Sequence, residues 1–82
     1  MYSIEFTQKA SDQLSRLEED LQVRIVKTLE RIKIRPYHFI KRKEGSPYFI
    51  FRVGDYRIIL NLENKKQIIY VLDVDNRGRI YK

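Results

Sequence analysis

The sequence holds no cysteine, one histidine, one methionine, two prolines and three glycines in 82 residues. Without cysteine there is no disulfide framework, no thiolate nucleophile and no cysteine-based zinc site. The one histidine, His38, builds neither a histidine-rich metal site nor a Ser-His-Asp triad. No apolar run approaches the ~20 residues that span a bilayer, and Met1-Tyr2-Ser3-Ile4-Glu5 lacks the basic-then-apolar layout of a signal peptide. P-loop, dinucleotide and nucleophile-elbow patterns are missing as well. The expectation is one cytoplasmic domain over residues 1–82, with no metal, no cofactor and no membrane. A chain of this size buries only about 60–65% of its unfolded surface, which leaves room for one core.

What the chain does have is positive charge: 17 Lys and Arg against 11 Asp and Glu, a net +6. Residues 1–40 carry a net +1 and residues 41–82 a net +5. A basic half attracts polyanions, nucleic acid first and an acidic protein partner or anionic membrane second. A solubilising surface explains the same charge.

Periodicity organises the chain. Tyr2, Ile4 and Phe6 alternate with polar residues as in a half-buried strand. Thr7 suits a helix N-cap, and Ala10, Leu14, Leu17 and Leu21 then form one helical stripe. Glu18-Glu19-Asp20 fits the start of a helix better than its end, which predicts a break near residues 18–20. A second helix from about Asp20 to Lys33 should bury Leu21, Ile25, Leu29 and Ile32, with Val26 beside them. Pro36 ends it, and Arg35 to Pro47 reads as a loop. Beyond it the period becomes two. Tyr48–Val53 and Tyr56–Leu62 form a hairpin about Gly54-Asp55, and Gln67–Val74 adds a third strand after a turn at Glu63-Asn64-Lys65-Lys66. Asp75–Arg79 reads as a polar turn and Ile80-Tyr81-Lys82 as a short last strand. The order β-αα-ββββ is that of an α+β two-layer sandwich, with helices on one face of an antiparallel meander.

In this hairpin Val53 faces Tyr56, Arg52 faces Arg57 and Phe51 faces Ile58. Like charges at a cross-strand pair destabilise a sheet, so Arg52 and Arg57 either pair with Asp73 or Asp75 or await an anion. Arg77 and Arg79 flank Gly78 where exposed guanidinium groups suit phosphate, or form a solvated turn. Tyr81 is a core-edge residue or a phenol whose ionised form nearby arginines would favour. Lys41-Arg42-Lys43 is a basic triplet that binds phosphates or is merely solvated. His38, between Tyr37 and Phe39, reads as a packed loop residue.

The segment Arg52-Val53-Gly54-Asp55-Tyr56-Arg57-Ile58-Ile59, then Ile69-Tyr70-Val71-Leu72-Asp73-Val74-Asp75-Asn76-Arg77 and the ending Ile80-Tyr81-Lys82, strongly resembles the RelE/ParE superfamily of type II toxin–antitoxin toxins. The likeness extends over essentially the whole chain. It implies a metal-independent, ribosome-dependent endonuclease that cuts mRNA in the ribosomal A site, inhibits translation and is silenced by a cognate antitoxin. It implies catalytic roles for Arg57, Arg77 and Tyr81, the tyrosine helping to deprotonate the ribose 2′-OH and the arginines stabilising phosphorane charge. Lys41, Arg42, Lys43, Arg52 and Arg79 would then bind RNA or ribosome. Strand positions that carry lysines in RelE fall here on Tyr48 and Ile50. The implied partners are the ribosome with its mRNA and a RelB-like antitoxin with an acidic or amphipathic segment. The ParE branch, which inhibits DNA gyrase, shares the fold, and a basic RNA-binding module is a third reading.

Overall fold

Strand β1 (Ser3–Phe6), helices α1 (Gln8–Ser15) and α2 (Glu19–Ile32), and strands β2 (Lys41–Arg42), β3 (Phe49–Val53), β4 (Tyr56–Glu63) and β5 (Ile68–Asn76) follow in chain order in a computed structural model that describes residues 1–36, 40–42, 45 and 47–76. Thr7 caps α1 as expected, its hydroxyl accepting from the Ala10 N–H at 3.1 Å and donating to the Leu72 carbonyl at 3.3 Å. The acidic run separates the two helices, with Glu18 in an extended conformation and Glu19 and Asp20 in the first turn of α2. Their carboxylates favour the positive end of the helix dipole. Gln22 Nε2 closes the connection by donating to the Leu17 carbonyl at 2.8 Å.

The helices cover one face of a five-stranded sheet of order β1-β5-β4-β3-β2. Ala10 of α1 and Ile25, Leu29 and Ile32 of α2 pack with Phe51, Val53, Ile58, Leu60, Ile69, Val71 and Val74 in one buried cluster. Burying each large aliphatic side chain contributes roughly 1.5–3 kcal/mol. Val26 departs from expectation, lying 42% exposed beside Val23 at 44%. The helical stripe that meets the sheet is narrower than the run of apolar residues suggests.

Three features of the sheet differ from the sequence reading. It is mixed rather than antiparallel, because β1 joins β5 in parallel with Ile4 opposite Ile69 and Phe6 opposite Val71. The loop assigned to Arg35–Pro47 contains β2, which pairs with β3 through Lys41–Ile50 and Arg42–Phe49. β5 starts one residue later than expected, since Gln67 has φ 54°, the left-handed region that ends a turn rather than continues a strand. It also runs on through Asp75 and Asn76, which the sequence reading placed in a turn. The expected strand Ile80–Lys82 lies outside the described residues. Among those residues no helix is long and apolar enough to cross a membrane.

One irregularity controls what the open face of the sheet presents. Leu60 pairs with Val71 but Ile59 pairs with Asp73, so Leu72 is an extra residue in β5. Such a bulge shifts the alternation by one. Ile69 and Val71 are buried before it and Val74 after it, which leaves Asp75 opposite Arg57.

Candidate functional site

The β3–β4 hairpin has the register expected of it: Val53–Tyr56, Arg52–Arg57, Phe51–Ile58. The turn needs its glycine. Gly54 has φ 58°, and Asp55 is not in the left-handed region, the pattern of a type II′ turn whose twist suits the flanking strands. With Phe51, Val53, Ile58 and Leu60 buried against the helices, alternation puts Ile50, Arg52, Arg57 and Ile59 on the face the helices leave open.

Arg52 is exposed and Arg57 half-buried, at cross-strand positions whose Cβ atoms stand about 5 Å apart in sheets. Neither forms a salt bridge with a described residue. Asp75 is the register partner of Arg57, yet the two carry no ion pair, and Asp73 is engaged elsewhere: its Oδ1 accepts from Gln13 Nε2 at 2.8 Å and lies 3.6 Å from Lys9 Nζ. Of the two alternatives for this arginine pair, neutralisation by Asp73 or Asp75 does not occur. Arg57 Nε is out of water and has no hydrogen-bond partner among the described residues. A buried, unmatched N–H costs about 1–3 kcal/mol, a cost that an incoming acceptor removes.

Gln13 holds β5 at the bulge with both ends of its amide. While Nε2 donates to Asp73, Oε1 accepts from the Val74 N–H at 2.7 Å. β1 stops pairing at Val71, so the α1 side chain supplies the backbone partner that β1 no longer provides. This clamp fixes the phase of the strand that brings Asp75 opposite Arg57. Sequence reasoning did not single out Gln13. The spacing of Ile69, Val71 and Val74, two and then three, was the available signal for the bulge.

The remaining candidate residues divide. Arg42 is opposite Phe49, not on the Arg52–Arg57 face, and its guanidinium carbon stands 6.0 Å from the Phe49 ring centroid, within cation–π reach. Lys41 is the register partner of Ile50. Lys43, Arg77, Arg79 and Tyr81, like His38, lie outside the described residues, so the described hairpin carries Arg57 alone of the three expected catalytic groups. Among the described residues no group of three or more His, Cys, Asp or Glu side chains could hold a metal ion.

No curated protein matches the chain in sequence. Its fold has close counterparts among solved structures. The RelE–RelB complex from Pyrococcus horikoshii OT3 matches at 24% identity and TM-score 0.82, over 95% of this chain and 97% of that one. The RelBE2 toxin–antitoxin complex of Mycobacterium tuberculosis matches at 25% identity and TM-score 0.81, over 93% and 98%. The intact E. coli RelBE complex matches at 17% identity and TM-score 0.83, over 93% and 96%. The family described as the ParE toxin of type II toxin-antitoxin system, parDE, matches residues 4–81. With the RelE fold and a family match spanning nearly its whole length, the chain belongs to the ParE toxin family and is a toxin of a type II toxin–antitoxin system within the RelE/ParE superfamily.

Proposed function

We propose that this toxin is a ribosome-dependent RNA endonuclease that cleaves mRNA in the A site by attack of a ribose 2′-OH on the adjacent phosphorus. The observation that carries the reading is Arg57: a guanidinium with an unmatched Nε–H, beside a second arginine, on the face of the sheet away from the helices. A phosphate oxygen is the acceptor such a group lacks. As the 2′-oxygen bonds to phosphorus and the P–O5′ bond breaks, negative charge grows on the equatorial oxygens. Donors already aimed there stabilise that charge without reorganising. The products are a 2′,3′-cyclic phosphate and a 5′-hydroxyl. In this scheme Tyr81 takes the 2′-OH proton, and Arg77, the residue following the β5 terminus at Asn76, assists the departing 5′-oxygen.

Tyr48 and Ile50 occupy positions that carry lysines in RelE. In this reading the missing strand charge is replaced by cations elsewhere in the chain, from Lys41, Arg42, Lys43 and Arg52. The cognate antitoxin is an acidic or amphipathic RelB-like segment, drawn by the basic half of the chain and wrapping the toxin as it folds. The structural counterparts crystallised as RelE–RelB complexes support that partner. The toxin works in the cytoplasm, where ribosomes are.

The ParE family match favours a second reading, inhibition of DNA gyrase through protein contacts. A translation extract separates the two. Cuts within the A-site codon that end in a 2′,3′-cyclic phosphate are expected. Intact mRNA together with inhibited gyrase supercoiling would overturn the endonuclease.

A further inference from the structure

A cleft of about 290 Å³ lies between α2 and the β3–β4 turn, bordered by Arg24, Lys27, Thr28, Arg31, Arg52 and Gly54. Four of these are cations, and among the described residues no carboxylate borders the cleft. The Arg24 guanidinium rests over the turn, 3.8 Å from where a Cβ on Gly54 would stand. None of the four forms a salt bridge with a described residue; those that do form join Lys9 to Asp73 and Lys33 to Glu30.

That arrangement is unfavourable by itself. Arg24 and Lys27 are three apart on α2 and Lys27 and Arg31 four apart, spacings at which side chains are neighbours on the helix surface and like charges repel. The negative end of the helix dipole accounts for Arg31 in the last turn, but its influence does not reach Arg24 and Lys27. From Arg24 to Arg31 the helix advances about 10 Å, near the rise of three phosphates in a stacked strand at ~3.4 Å each.

The neighbouring cleft shares Arg24 and has Arg16 at its border, but it also carries three carboxylates, Glu18, Asp20 and Asp55. Its three acids outnumber its two cations, so it is the less favourable side for a polyanion. The unopposed cations draw it along α2 and, through Arg52, round to Arg57 on the open face of the sheet.

We propose that the cleft of Arg24, Lys27, Arg31 and Arg52 binds the phosphodiester backbone of a single RNA strand and leads it toward Arg57. The choice of RNA over another polyanion rests on the endonuclease reading; the anion site itself rests on the cleft. Among the described residues Val53 is the one apolar side chain at its border, too little to anchor the alternating side chains of an acidic peptide.

The test is binding of a 2′-O-methyl single-stranded oligonucleotide of about a dozen nucleotides, which cannot undergo 2′-OH attack, to the full chain across a salt series. For single strands the slope of log K against log salt is about −0.7 per phosphate neutralised. The triple variant Arg24→Gln, Lys27→Gln, Arg31→Gln is expected to shallow the slope by about 2 and weaken binding at least about tenfold near 0.1 M salt. The variant Arg24→Lys, Arg31→Lys keeps the charge and is expected to keep the wild-type slope. An unchanged slope in the triple variant, with its circular dichroism native, overturns the proposal. So does a triple variant that loses a poly-glutamate peptide while still holding the oligonucleotide. The two readings fail separately. Oligonucleotide binding through the cleft with translating mRNA left intact removes the endonuclease and keeps the cleft, whereas mRNA cleavage with an unchanged slope does the reverse.

Discussion

The two flanks of the sheet treat charge in opposite ways. Along β5 and α1 several polar groups meet partners: Thr7 caps α1, the Gln13 amide spans Asp73 and the Val74 N–H, and Lys9 approaches Asp73. At the β3–β4 end, under the second half of α2, Arg52 stands across from Arg57, and among the described residues Arg57 Nε has no partner and Arg24, Lys27 and Arg31 line a cleft without a carboxylate. Among the described residues charge is neutralised on one flank and bare on the other. Partnered groups hold the register of the sheet. Bare ones have a use only when an anion comes, so the contrast separates the groups that make the fold from those that act on something else.

The largest effect expected from breaking that contrast is on the bare flank. Arg57→Ala should lower mRNA cleavage by about 10²–10³-fold, the loss typical of removing one stabiliser of developing oxyanion charge. Its thermal stability should stay level or rise, because the substitution removes a desolvated, unmatched N–H and one half of a like-charge pair. Cleavage in a translation extract and a melting curve on the same preparation check this. A variant that loses both activity and stability would place Arg57 with the structural groups instead.

Gln13→Leu tests the partnered flank. It keeps the size of the side chain but strands the Val74 N–H and the Asp73 carboxylate, at an expected cost of about 1–3 kcal/mol in urea unfolding. Thr7→Ala comes next, at about 1 kcal/mol for a lost N-cap. Both should move the urea midpoint without altering its slope, since neither changes the surface exposed on unfolding.

Legibility in the sequence follows the range of the interaction. Thr7 as a cap, the helix break at Glu18-Glu19-Asp20 and the Arg52–Arg57 register are local: each depends on residues within a few positions and on a turn whose glycine takes positive φ. The parallel joining of β1 to β5 brings together residues more than sixty apart, and no local pattern encodes it. β2 has two residues, too few to show alternation. Strand continuation through Asp75 and Asn76 was hidden by the bulge at Leu72, which moves Asp73 and Asp75 into positions where alternation alone does not put them. On the site, Arg57 was legible because a like-charge pair is conspicuous once the register is known. The cleft was not. Arg24, Lys27 and Arg31 read singly as solvated helix surface, and Arg52 joins them only through tertiary packing.

The smallest expected effect distinguishes the flanks by sign. Lys9→Ala removes a cation that lies 3.6 Å from Asp73 with its own side chain 67% exposed. An exposed pair of this kind contributes about 0–1 kcal/mol, so the protein should lose a few tenths of a kcal/mol at low salt. Arg52→Thr also removes one positive charge from an exposed position, yet it relieves repulsion with Arg57 and installs a residue that favours strands. It should gain a few tenths, again at low salt. Both differences should shrink as ionic strength rises, because screening falls to about 8 Å at 0.15 M and about 3 Å at 1 M. Part of the Arg52→Thr gain should persist, since strand propensity is not screened. Paired urea titrations at 0.02 M and 0.5 M salt resolve this if the two variants are compared with each other rather than each with its absolute free energy. If Arg52→Thr is destabilised alongside Lys9→Ala at low salt, Arg52 has a stabilising partner in solution and the flank is not bare.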